Sequence, residues 1–324
     1  MARVYFDRRI DETLLRTMRP GAALSWLMDH MRSSYGRTRH AHLQFRRDRH
    51  GRSMGSIQLY WGRTSPLEFR LRRGRRVRLT ADKVYREASR ALFSHTVPLE
   101  RLGALEGELR AHLRSVGELL GNDAPRRRSA LVRDEAVCHA GMVRRYGHSW
   151  RAGDPMVVID SEARIGFGST ERRTADDAAI RWRLRLPESE SIPRKLDALG
   201  VLSTGDLALL EIKGVRGSIK RAAVQSAVHT IRFSRLMADG NLRNVIQTML
   251  EQKTAMGLIP PGTPGLGETP QVVPCIAAPH PSCNWAARWG AAVDACSAEL
   301  AGVLPKLLLV RLHRDGRILE VQHR

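Results

Sequence analysis

Arg194 to Gly214 reads RKLDALGVLSTGDLALLEIKG, and what is made of this stretch decides what is made of the whole chain. A two-residue period predicts a strand over Asp197 to Leu202 and another over Leu207 to Lys213, with Ser203 to Asp206 as the hairpin turn. Side chains two apart on a strand share a face, so Glu211 and Lys213 project together, and Asp197 on the neighbouring strand reaches the same spot. Two carboxylates suit a hard divalent cation such as Mg²⁺ or Mn²⁺. A lysine beside them can orient or deprotonate a water or stabilise charge on a phosphate. The competing interpretation is an amphipathic hairpin whose polar residues simply face water.

Composition favours the chemical interpretation. Six of the fifty-four basic residues are lysines (83, 195, 213, 220, 253 and 306), so the chain writes generic positive charge as arginine. A lysine kept between Ile212 and Gly214, at the end of an apolar strand, is then a poor candidate for filler. Arginine cannot release its proton at useful pH, whereas a partly buried lysine can. Lys220 and Lys253 have no comparable role in the sequence.

Asp197, thirteen further residues, then Glu211-Ile212-Lys213, Gly214 and a helix resemble the core of the PD-(D/E)xK nuclease superfamily, over roughly residues 130 to 280. The resemblance implies an α/β (α+β) restriction-endonuclease-like mixed-sheet core flanked by helices. It also implies metal ligation by Asp197, Glu211 and the backbone carbonyl of Ile212, with Lys213 positioning the attacking water. Folds of this family start with a helix that lends an acid to the metal site. Glu135 is the candidate, with Asp134, Glu162 and Glu171 as alternatives. In one branch the helix after the lysine carries a glutamine followed four residues later by a tyrosine. Gln225 fits that glutamine, and His229 stands where the tyrosine would be.

A formal charge of +21 and a pI near 11.1 point to a polyanionic partner, of which nucleic acid is the commonest. The family resemblance implies DNA more than RNA. Arg70, Arg72, Arg75 and Arg76 belong to a dense positive surface near the start of the chain, and Arg216, Lys220 and Arg221 add charge beside the proposed site. Phosphate contact of this kind positions a protein without reading sequence. No basic amphipathic helix with a bulky apolar face favours a membrane surface, no segment approaches the roughly 20 apolar residues of a span, and the first twenty residues lack a signal-peptide core. A cytoplasmic location is expected. The four cysteines contain no C-x-x-C pair, which argues against a zinc finger and for free thiols.

Two domains are expected. Residues 1–125 form a basic α+β nucleic-acid-binding domain, with helical spacing over Asp11 to Arg32 broken at Pro20-Gly21. Four strands follow (His42 to Arg46, Ser56 to Trp61, Leu67 to Arg72, Arg75 to Leu79), then helices over Lys83 to Phe93 and Leu99 to Leu120. GNDAPRRR at 121–128 marks the boundary. Residues 126–324 form the nuclease-like domain: a helix over Ser129 to Tyr146, a strand over Met156 to Phe167, the central hairpin, and a helix over Gly217 to Met237. A strand over Gln271 to Ala277, a helix over Asn284 to Val303 and a hairpin turning at Asp315-Gly316 complete it.

The function expected on these grounds is a Mg²⁺- or Mn²⁺-dependent nuclease, a DNA endonuclease in restriction, antiviral defence, repair or mobile-element processing, with protein partner subunits as a further expectation. The alternative is a catalytically degenerate subunit that binds nucleic acid in a larger complex. A basic structural protein of a ribonucleoprotein would need no acids at these positions.

Overall fold

The computed structural model describes residues 5–33, 41–46, 55–61, 64–94, 96–121, 134–214, 218–280, 284–296, 298–304 and 306–324. The chain has a mixed α+β architecture with a five-stranded and a six-stranded sheet. It divides into two compact units, each assembled from separated segments. One comprises Arg8–Arg151 and Thr248–Pro261, the other Met1–Asp7, Ala152–Gln247 and Gly262–Arg324.

The sheet of the first unit runs β1 (Ala41–Arg46), β2 (Gly55–Trp61), β3 (Thr64–Arg72), β4 (Arg76–Thr80) and β5 (Thr96–Pro98) in chain order. Every neighbouring pair is antiparallel. Alternation sorts the side chains to two faces. Phe45, Ile57, Phe69 and Leu79 form one cross-strand row in an apolar core shared with Leu14, Leu27, Met31, Leu109, Met256 and Leu258. The opposite face carries the row Gln44, Gln58, Glu68, Thr80 and, beside it, Arg46, Ser56, Arg70, Arg78, Thr96.

Helices Glu12–Met18 and Trp26–Arg32 flank the expected break, and the Asp11 carboxylate caps the first by accepting from Thr13 N–H at 2.9 Å. The helix expected from Leu99 instead starts as a 3₁₀ stretch, Leu99–Leu105, and becomes α-helical over Glu106–Gly121. Helix Asp134–Gly147 also belongs to this unit. His139 meets the His42 ring edge-on at 5.9 Å, His148 Nε2 accepts from Leu43 N–H at 3.0 Å, and buried Lys253 donates to Gly147 O at 3.1 Å. The units therefore divide at 151/152, not at residue 125, because this helix caps the first sheet.

In the second unit the sheet order is β11-β10-β9-β8-β7-β6, where β6 is Met156–Arg164, β7 Lys195–Leu202, β8 Leu207–Ile212, β9 Val272–Pro279, β10 Leu308–Leu312 and β11 Ile318–His323. β6, β7 and β8 form an antiparallel meander, β8, β9 and β10 are parallel, and β11 closes the edge antiparallel. All six residues of β8 are buried, as a central strand covered on both faces requires. Helix Ile219–Ala238 lays Ala222, Ala223, Ala227 and Ile231 in one core with Ile276 and Leu309.

Helix Thr170–Arg183, which the sequence pattern does not predict, buries only Asp176 and Ile180. Buried Arg232 donates to Asp176 at 2.9 Å and Asp177 at 2.6 Å, and Arg235 donates to Asp176 at 2.7 Å. The helix thus meets its neighbour through ion pairs as well as through Ile180, which joins the same apolar core. The predicted helix over Asn284 to Val303 is two, Trp285–Asp294 and Ala298–Val303. No helix among the described residues is long and apolar enough to cross a membrane.

Candidate active site

The β7–β8 hairpin forms as its spacing predicts. Ala198 pairs with Leu210 and Leu199 with Leu209, so continuing the register puts Asp197 opposite Glu211 on one face. Gly205 makes the turn at φ +84°, where glycine carries no steric penalty. A second constraint acts at Gly200, where a Cβ would stand 2.9 Å from Val157 O. Glycine there lets β6 and β7 approach closely.

Asp197, Glu211 and Lys213 converge. Lys213 Nζ lies 3.4 Å from Glu211 Oε2 and 3.6 Å from Asp197 Oδ2. The Ile212 N–H donates to Asp197 Oδ2 at 2.8 Å, fixing that carboxylate at the strand end. Glu211 is fully buried, whereas the Asp197 side chain keeps 30% of its surface, so the cluster opens to solvent on the Asp197 side.

From helix Ile219–Ala238, His229 covers Glu211, its Nε2 3.5 Å from Oε1. The same Nε2 lies 3.1 Å from Lys195 O. A carbonyl can only accept, so Nε2 carries the proton. Burial, with Arg232 and Lys213 adding to it, pushes the His229 pKa down to about 3. The contact with Glu211 is therefore not an ion pair.

Burial and the neighbouring Asp197 raise the Glu211 carboxyl well above its ordinary value, against the opposing pull of Lys213. Glu211 Oε1, His229 Nδ1, Gln225 Oε1 and Ser226 Oγ are buried and make no hydrogen bond within the described residues. Gln225 is one turn before His229 and shares its helix face.

Of the candidate helix acids, Glu135 sits in helix Asp134–Gly147 of the first unit, while the cluster just described is built from the second. Glu162 lies in the same sheet as the cluster. Ser161 pairs with Ala198 and Ala163 with Leu196, which sets Glu162 opposite Asp197. It adopts φ +50° and pairs with Lys195 at 3.1 Å. A non-glycine residue in that region is strained by about 1–3 kcal/mol. Glu171 is exposed in the first turn of helix Thr170–Arg183.

Among the basic candidates, Arg70, Arg72 and Arg76 flank the β3–β4 hairpin and Arg75 lies in its turn. Arg70 forks onto Glu68 at 2.9 and 3.0 Å, and Arg76 donates to Thr96 O at 2.8 Å. Lys220 and Arg221 are exposed in the first turn of helix Ile219–Ala238. Arg216 lies outside the described residues. Cys138, Cys275 and Cys296 are free thiols, and burial raises the Cys275 pKa to about 12.

Sequence reasoning gave His229 no site role, because whether a helical histidine faces the sheet depends on how the helix is rotated. Among the described residues, no group of three or more His, Cys, Asp or Glu side chains is arranged to hold a metal ion. No family model matches the chain, and neither a curated protein nor a solved structure matches it.

Proposed function

We propose that the second unit is a nuclease core of the PD-(D/E)xK kind that cleaves phosphodiester bonds with a bound divalent cation, DNA being the substrate the resemblance favours. The observation that carries this is the convergence of the Asp197 and Glu211 carboxylates within 3.6 Å of the Lys213 ammonium, on a hairpin whose next element in the chain is helix Ile219–Ala238. The mixed sheet supports it, with its meander leading into parallel β9.

The donor set suits Mg²⁺, which keeps several waters and is held through one or two carboxylates. Asp197, Glu211 and the Ile212 carbonyl would hold it, and the unsatisfied Glu211 Oε1 is the kind of acceptor a cation satisfies. Such an ion supplies charge stabilisation at the scissile phosphate. The chain's own groups do the positioning. The Ile212 N–H fixes Asp197, the Lys213 ammonium orients the attacking water and faces the charge that develops on the phosphate, and neutral His229 excludes water behind Glu211.

A second interpretation rests on a different observation, the complete burial of Glu211. A carboxyl that stays neutral would leave a module that binds nucleic acid without cutting. One experiment separates the two: cleavage of supercoiled, linear and single-stranded DNA, and of RNA, in Mg²⁺ or Mn²⁺, with an EDTA control and Lys213→Ala. Metal-dependent cutting that falls by about 100-fold or more in the variant is expected. Salt-sensitive binding without cutting establishes the non-cleaving module, and cutting unchanged in Lys213→Ala removes the proposed site.

A further inference from the structure

We infer that the polar face of the first sheet carries a pocket for a single nucleotide, a site separate from the Asp197–Glu211–Lys213 cluster and independent of whether that cluster cuts. A cavity of about 360 Å³ opens over β2, β3 and β4, lined among others by Gln58, Tyr60, Glu68, Arg70, Arg78 and Arg86. This is within the range of ligand sites, which run from about 300 to 1,000 Å³. Its interest lies in how the register separates two kinds of chemistry.

One end is cationic. Arg70 and Arg78 are directly cross-strand. Arg70 is held in place by the fork onto Glu68, whose side chain is only 10% exposed. That carboxylate is thus committed to orienting a guanidinium. Arg86 is anchored through Nε to Ala81 O at 2.5 Å, which leaves its terminal nitrogens available. Arg78 is exposed and makes no hydrogen bond or ion pair among the described residues. The other acid at the rim, Asp82, is engaged by Ser65 N–H at 2.7 Å. Three guanidinium groups against two committed carboxylates select an anion, and planar guanidinium forks match phosphate.

The other end is flat and amide-bearing. Gln58 lies one cross-strand row away from Arg70 and Arg78, and Tyr60 one row further. Successive same-face rows are about 7 Å apart along a strand, a separation that a sugar bridges between base and phosphate. Gln58 Oε1 accepts from Tyr60 Oη at 3.1 Å, which orients the amide and leaves its NH₂ free of partners among the described residues. Tyr60 is stacked on His42 with centroids 5.6 Å apart and planes 23° apart, so its ring is held rigid. An oriented amide beside a fixed aromatic ring is how unpaired bases are recognised.

The ligand could be a free nucleoside monophosphate or one unit of a single strand. Binding to the full chain would be measured by calorimetry at about 0.15 M salt, where non-specific attraction is screened. The ligands are AMP and CMP, an eight-nucleotide single strand of DNA or RNA, and inorganic phosphate. The proteins are wild type, Arg78→Ala, Gln58→Ala and, as a charge-matched control, Arg114→Ala on the exposed side of helix Glu106–Gly121.

The site is supported if Arg78→Ala weakens nucleotide or oligonucleotide binding by about tenfold or more while Arg114→Ala changes it by about twofold or less, and if Gln58→Ala weakens nucleotide but not phosphate. Saturation by mononucleotides identifies the free ligand, and saturation by the oligonucleotide alone identifies a strand unit. The inference is overturned if no nucleotide binds, if Arg78→Ala behaves as Arg114→Ala does, or if Gln58→Ala leaves nucleotide affinity unchanged. Arg78 supports no other residue, so its variant should keep the wild-type melting temperature.

Discussion

A carboxyl with no exposed surface, next to a second carboxylate and one ammonium, is driven toward its neutral form by desolvation. That is the position of Glu211, whose folded-state pKa is raised above the ordinary 4.5. For a raised acid the stability contribution is fully present below the unfolded pKa and is lost as pH rises through the folded pKa. Glu211→Gln should therefore stabilise the metal-free protein on the alkaline side of that window, on the order of 1 kcal/mol, and flatten the pH dependence of its denaturation midpoint there. A variant less stable than wild type at pH 8 would contradict this. Burial of His229 works on the opposite flank: its pKa, pushed down to about 3, makes stability fall as pH drops below the imidazole's ordinary 6.5. At this scale the sequence reveals residues whose placement follows from a two-residue period, such as Asp197, Glu211 and Lys213. It hides those placed by tertiary contact. Lys253, which has no assignable role in the sequence, proves to be buried against Gly147 O.

The hairpin that carries the site depends on two glycines for different reasons. At Gly205, φ is +84° and an added Cβ would lie 2.7 Å from Gly267 N, backbone that cannot swing away. Gly205→Ala should cost about 1–3 kcal/mol in urea denaturation, whereas alanine at Gly262, equally left-handed but with nothing within 4 Å, should cost less. Equal losses at the two positions would mean that strain alone matters and that the Gly267 contact does not. Elements with apolar alternation or clear helical spacing were readable from the chain, as the β3 row Leu67, Phe69, Leu71 shows. Helix Thr170–Arg183 was not, because it is fastened by Asp176 and Asp177 to Arg232 and by Ile180 rather than by an apolar stripe. Helix Asp134–Gly147 is legible as a helix but not as a partner of β1, since pattern gives an element's type and not its neighbour.

For the molecule as a whole, a charge of +21 makes ionic strength the dominant variable for any polyanion. If the basic surfaces neutralise six to ten phosphates, affinity for duplex DNA should fall by roughly 10³–10⁵ between 50 and 200 mM salt. A slope near zero in that titration would remove nucleic acid as the partner. The chain's order matters at this scale as well. Met256 and Leu258, 2% exposed, complete the core that Leu14 and Leu27 begin, and residues 5–7 belong to the unit whose strands start at 156. A ribosome making this protein therefore releases the first sheet long before the segment that finishes its interior. The first unit completes its interior only once residues 248–261 have been made, and neither unit is obtained intact by cutting the gene at one point.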